Sequence, residues 1–149
     1  MGAVSTIMKS SADTENVDIA MSLARDLMDE ILGKGFDDPD GGATFGPEEA
    51  EPRRNFDDVD DYDGWSKTPP QDVDGVSYNG AGSMPDYSYF TRQVTVENVP
   101  QDNFNVLTPS ADGTTDAKRI IVTVSWQAIG GSPDVELRSV VTEYHPDPR

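Results

Sequence analysis

The sequence predicts an α+β fold in which one long N-terminal α-helix packs on a three- to four-stranded antiparallel β-sheet. Near the N-terminus, apolar residues recur every three or four positions, which is the period of an amphipathic helix. In three later segments apolar and polar residues alternate, which is the period of a half-buried strand. Between them lies a long stretch with neither period, rich in aspartate, proline and glycine. The length of 149 residues suits one domain.

The expected helix, from about Asp13 to Leu32 within the N-terminal segment 1–35, is defined by a single apolar stripe. Thr14 or Asp13 is placed to cap its start, and Gly33 or Gly35 to end it. Leu23 falls off the stripe, and the helix could extend back through residues 3–8. The residues expected to pack on the sheet, or on neighbouring helices in an assembly, are Val17, Ala20, Met21, Ala24, Leu27, Met28 and Ile31.

The middle region, residues 36–88, is predicted to be a long irregular acidic loop. Turn-forming pairs such as Asn79-Gly80 occur throughout it. Its aromatic residues argue against disorder, because disordered segments have few of them. Phe56, Tyr62 and Trp65 are expected to anchor this loop to the helix and the sheet; the alternative is a platform for a ligand.

The C-terminal half, residues 89–144, is predicted to form the sheet, followed by a tail at 145–149. Three segments alternate, at 90–97, 120–126 and 135–142. A Gly-Gly-Ser-Pro-Asp sequence between the last two predicts a hairpin.

Composition excludes several classes of function. The 28 acidic and 11 basic side chains give a net charge of −17, which disfavours binding to nucleic acid. The absence of cysteine excludes disulfides and thiolate metal sites. With no apolar run long enough to span a bilayer, the chain as given is expected to be soluble. His145, the single histidine, lies in a proline-flanked tail, and no catalytic motif is evident, so we expect no enzyme.

One acidic segment is a candidate metal site. Hard oxygen ligands within seven positions favour Ca²⁺ over a transition metal. The spacing does not fit an EF-hand, because the alignment puts Val59 at the first ligand position and Pro70 at the twelfth. The alternative is structural: some of these carboxylates cap turns, and Arg53, Arg54 or Lys118 neutralises others. The candidate ligands are Asp57, Asp58, Asp60, Asp61 and Asp63.

Taken together, residues 15–144 resemble the minor type IV pilins and type II secretion pseudopilins (MshD- or PilV-like proteins). LARDLMDEIL at 23–32 resembles the helix segment that follows the membrane part of these proteins. FDDVDDYDGW at 56–65 resembles their aspartate-rich segment and is the most distinctive match. KRIIVTVSW at 118–126, followed by VEL at 135–137, resembles their closing hairpin.

The resemblance implies a structural subunit of a type IV pilus or of a type II secretion pseudopilus, with other pilin or pseudopilin subunits as partners. It implies a parent protein anchored in the inner membrane, with a periplasmic or cell-surface ectodomain. This chain would lack the leader and the membrane half of the helix, either by design or through a misplaced gene start. The alternative function is an acidic, calcium-responsive extracytoplasmic binding domain.

Overall fold

The computed structural model of the chain describes residues 5–8, 14–37 and 45–143. One α-helix packs on one face of an antiparallel sheet, which confirms the predicted α+β fold. The tail at 145–149, with His145, lies outside the described residues.

The sheet contains five strands in the order β1-β5-β4-β3-β2, all antiparallel to their neighbours. The three long strands follow the predicted segments, and the two short strands at the edges were not predicted. The strands are β1 (Ser5–Met8), β2 (Ser66–Lys67), β3 (Phe90–Asn98), β4 (Ala117–Trp126) and β5 (Asp134–Thr142).

The helix α1 (Thr14–Leu32) matches the predicted helix, which runs from about residue 13 to Leu32 within the segment 1–35. The expected extension through residues 3–8 is wrong, because Ser5–Met8 forms strand β1 on the outer edge of β5. The β-branched residues Thr6 and Ile7 suit a strand, and the backbone of β5 supplies the hydrogen-bond partners. None of the described helices combines the length and apolar character that a membrane crossing requires.

The core lies between α1 and the inner face of the sheet. Six of the seven predicted packing residues of α1 are buried, and Met21 is half-buried against the same core. Leu23 is also buried, which corrects its placement off the packing face. Arg92 of β3 donates hydrogen bonds to the carbonyl oxygens of Leu23 and Gln71, so the segment at Gln71 closes over that side of the helix.

The region between α1 and β3 contains more regular structure than the sequence predicts. Two 3₁₀ helices, Arg53–Asn55 and Val59–Tyr62, precede strand β2. Residues 63–65, just before β2, also bind the edge of β3. Asp63 Oδ1 accepts a hydrogen bond from the Val96 amide at 2.9 Å, and the Trp65 carbonyl accepts one from the Val94 amide at 2.9 Å. The free edge of β3 is therefore covered by its own chain.

Candidate functional site

The aspartate-rich segment folds around the second 3₁₀ helix because two of its carboxylates bind the helix backbone. Asp58 precedes the helix, and its side chain accepts a hydrogen bond from the Asp61 amide at 3.1 Å. The Asp61 carboxylate reaches back and accepts hydrogen bonds from the amides of Asp57 at 3.0 Å and Asp58 at 3.4 Å. Reciprocal capping of this kind satisfies backbone donors that the helix itself leaves unpaired.

The five predicted ligands lie in different environments. Asp58, Asp60 and Asp61 are buried, with exposed fractions of 1%, 5% and 1%. Asp57 and Asp63 are half-buried. Asp63 faces β3, where its carboxylate accepts a hydrogen bond from the Val96 amide.

Two overlapping groups of carboxylates could hold a metal ion among the described residues. One carboxylate oxygen from each of Glu48, Asp58, Asp60 and Asp61 lies within 4.8 Å of the others. Glu49, Asp57 and Asp61 form the second group. Asp63 belongs to neither.

Glu48 and Glu49 were missed by the sequence analysis because they lie about ten residues before the aspartate-rich segment. The Glu48 amide donates a hydrogen bond to Asp61 Oδ1 at 3.0 Å, which brings this stretch against the second 3₁₀ helix. No local pattern marks the two residues. Beside them, Glu49, Asp61 and Trp65 contribute to the wall of a cavity of about 150 Å³.

Lys118 of β4 supplies a positive charge to this cluster. Its side chain is 2% exposed, and Nζ donates hydrogen bonds to Asp60 Oδ2 at 3.1 Å and to Asp37 Oδ1 at 3.4 Å. It also donates to the carbonyl oxygen of Phe36. Of the three cations expected to neutralise the aspartates, Lys118 does so within this segment, while Arg53 and Arg54 pair elsewhere.

Burial and like charges change the acidity of the cluster. Burial, together with the charges of Asp60 and Asp61, raises the pKa of Asp58 to about 8. At neutral pH Asp58 therefore carries a proton and hydrogen-bonds with the carboxyl group of Asp60. Asp60 Oδ1 has no hydrogen-bond partner in the described part of the chain. A proton or a cation is thus needed to balance the cluster.

The three predicted anchors are all buried. The rings of Phe56 and Tyr62 meet edge to face, with centroids 5.0 Å apart. The Tyr62 hydroxyl donates a hydrogen bond to Glu30 of α1 at 2.8 Å. Trp65 lies under the guanidinium of Arg53, whose Cζ is 4.7 Å from the ring centroid.

Glu30 and Arg53 form a second charged site, which the sequence analysis did not identify. Arg53 is 4% exposed and binds both carboxylate oxygens of Glu30 at 3.0 Å. Burial alone would raise the pKa of Glu30, but the hydrogen bond and charge of Arg53 hold it below its ordinary value. This pair joins the end of α1 to the first 3₁₀ helix.

Comparisons of the chain with models of known families, with curated proteins and with solved structures found no match.

Proposed function

We propose that this chain is a structural subunit of the minor pilin or pseudopilin kind, which acts by assembly and performs no chemical turnover. In this proposal it contributes to a type IV pilus or to a type II secretion pseudopilus. Its partners are other subunits of that kind, and its parent protein is anchored in the inner membrane.

One observation supports the proposal above the others: the three segments that resemble these subunits contact one another. Glu30, in the helix segment, accepts a hydrogen bond from Tyr62 in the aspartate-rich segment. Asp60, in the same segment, pairs with Lys118 at the start of the hairpin segment. The most distinctive part of the resemblance therefore joins the helix to the sheet.

The outward face of α1 is the surface that this proposal assigns to neighbouring subunits. Its exposed residues are polar or charged, and they include Asp18, Ser22, Arg25 and Asp29. The inward face is occupied by the core. Because β1 returns the preceding chain to the sheet, contacts along α1 begin no earlier than Thr14.

Cysteine cross-linking in the expressing cells tests the proposal, because the natural chain contains no cysteine. Ser22→Cys on the outward face of α1 is expected to cross-link to a different pilin-type subunit in a sheared filament fraction. Ile129→Cys, at the fully exposed tip of the β4–β5 hairpin, is the matched control on a distant surface. Absence of the chain from that fraction, with the chain present in the cells, would refute the proposal.

The second candidate function, a calcium-responsive binding domain, is favoured by the buried oxygen of Asp60. Asp60 Oδ1 has no hydrogen-bond partner among the described residues, and Glu48, Asp58 and Asp61 place further carboxylate oxygens near Asp60. Ca²⁺ accepts six to eight oxygen ligands in flexible geometry. Ca²⁺ could replace the proton that Asp58 and Asp60 share, and its charge would then offset the negative charge of the carboxylates.

Calorimetry with Ca²⁺ and with Mg²⁺ at equal ionic strength tests this second function. Ligand at a hundredfold excess over the dissociation constant is expected to add about 2.7 kcal/mol to the free energy of unfolding. Glu48→Gln should remove most of the gain. Glu51→Gln, a nearby exposed carboxylate outside both groups, should retain it. An equal shift with every salt would exclude a specific site.

A further inference from the structure

The 45–51 segment contributes to the wall of the cavity beside Trp65 and also carries a ligand of the first carboxylate group. It contains no helix or strand, and most of its side chains are exposed, Glu48 among them. We propose that a divalent cation held by this group fastens the 45–51 segment against the second 3₁₀ helix and thereby closes the cavity. The proposal rests on the second candidate function above and adds what cation binding controls.

The ligands of this group come from two parts of the chain. Asp58, Asp60 and Asp61 are buried at the second 3₁₀ helix, where reciprocal capping holds Asp58 and Asp61 in place. Glu48 comes from the 45–51 segment. Asp60 points to a ligand, because it is 5% exposed and its Oδ1 has no hydrogen-bond partner among the described residues. A cation that takes an oxygen from each of the four residues therefore joins the two parts of the chain.

The cavity is lined by the same two parts of the chain. Pro47 and Glu49 of the 45–51 segment contribute to its wall together with Phe56 and Trp65 of the aspartate-rich segment. Trp65 is 5% exposed in this arrangement. Separation of the 45–51 segment from the 3₁₀ helix would remove one part of the wall and admit solvent to the indole ring. The exposure of Trp65 therefore reports whether the cavity is closed.

Charge opposes this closure when no cation is bound. The 45–51 segment has three glutamates and no basic residue, and it lies against a segment with five aspartates. Lys118 supplies one positive charge, at Asp60. The Glu48 amide donates a hydrogen bond to Asp61 Oδ1 at 3.0 Å, but the Glu48 carboxylate adds a further negative charge beside the aspartates. A divalent cation replaces this repulsion with attraction to a shared positive charge.

Quenching of tryptophan fluorescence by acrylamide tests the closure in the full chain. The chain has two tryptophans, so Trp126→Phe leaves Trp65 as the only reporter. Added Ca²⁺, at constant pH and ionic strength, should lower the Stern–Volmer constant of this variant. Trp65→Phe is the matched control, because it leaves only Trp126, which is 2% exposed and packs on Phe90, and its quenching should not change. Equal quenching of Trp65 with and without Ca²⁺ would overturn the proposal.

Hydrogen exchange measures the same closure in the natural chain. Without Ca²⁺ the Glu48 amide should exchange faster than the amides of β4, because the 45–51 segment opens locally. Since only the closed form binds the ion, about a hundredfold excess of Ca²⁺ over its dissociation constant should slow this exchange by a similar factor. The Asn105 amide, in the exposed β3–β4 loop, should not change. A Glu48 amide that exchanges as slowly as β4, or that is unaffected by Ca²⁺, would overturn the proposal.

Two variants and one comparison separate the closure from the calcium site itself. Glu48→Gln should abolish the effect of Ca²⁺ on the quenching of Trp65 and on the exchange of the amide at position 48. Asp102→Asn removes an exposed carboxylate outside both groups and should retain both effects. A rise in stability with Ca²⁺, with quenching and exchange unchanged, would keep the calcium site and overturn the closure. No rise in stability would refute the second candidate function and this proposal together.

Discussion

Adjacent arginines in this chain differ sharply in environment. Arg53 is buried against Trp65 and binds Glu30 through two hydrogen bonds, whereas Arg54 pairs with Asp74 at 3.2 Å on the surface. Exposed ion pairs add little to stability, but removal of one partner from a buried pair leaves an uncompensated charge. Burial, and not charge alone, therefore decides which of the two arginines contributes more to the stability of the fold.

Arg53→Met is expected to lower the free energy of unfolding by about 3–5 kcal/mol, because Glu30 loses its buried partner. Arg54→Met, one position along, is the matched control and should change it by less than about 1 kcal/mol. Urea denaturation measures both. The double variant Glu30→Met/Arg53→Met should recover part of the loss; a cost as large as that of Arg53→Met alone would contradict the charge argument.

Asp58 gives the protein a pH dependence opposite to that of an ordinary ion-paired aspartate. Its pKa in the folded chain is about 8, above the ordinary value of 3.8, so the folded state holds a proton that the unfolded state releases. The stabilisation is complete below pH 3.8 and is lost as the pH rises to about 8. The slope approaches about 1.4 kcal/mol per pH unit, the limit for one proton.

The measurement compares unfolding of the natural chain with that of Asp58→Asn across this range, in buffer containing a chelator. The slope assigned to Asp58 should be absent from the variant, since an amide does not titrate. Asp74→Asn, at the exposed pair with Arg54, should leave it unchanged. Identical slopes in the natural chain and in Asp58→Asn would show that another group carries the effect.

At the scale of elements, the packing of α1 on the sheet is the main contact that stabilises the fold. Leu27 is 1% exposed in the centre of the core cluster. Leu27→Asp should abolish cooperative unfolding, because it places an unpaired charge between the two layers. Ser22→Asp, on the exposed face of the same helix, should unfold as sharply as the natural chain. Thermal melting followed by circular dichroism separates these outcomes, and a sharp transition for Leu27→Asp would refute the packing.

The elements that the sequence predicts are those with a strong internal period. The stripe of α1 and the alternation of β3, β4 and β5 could be recognised locally because each buries one face. Strand β1 has four residues and β2 has two, which is too short for a period to register. Their pairing depends on a neighbouring strand that is distant in sequence.

The candidate site could be predicted only in part, for the same reason. Five aspartates within seven positions are visible in the sequence, but which of them are buried depends on contacts made elsewhere. Lys118 lies 58 positions from Asp60, and Glu48 joins the group through a backbone hydrogen bond. The Glu30–Arg53 pair is non-local too, since 23 positions separate its partners.

At the scale of the whole molecule, a net charge of −17 opposes the compact state. The screening length falls from about 10 Å at 0.1 M salt to about 3 Å at 1 M. The free energy of unfolding should therefore rise with NaCl, and equally with KCl, because the effect is one of ionic strength. Denaturation at several salt concentrations measures this. A fall in stability with added salt would mean that attractive surface pairs outweigh the repulsion.

The cover over β3 has a consequence for how copies of this molecule meet. An open strand edge invites another chain to extend the sheet. Here the amides of Val96 and Val94 already donate hydrogen bonds to Asp63 and Trp65. A strand from another chain would therefore first have to displace residues 63–67. On that side, another copy of the chain therefore finds little free backbone with which to extend the sheet.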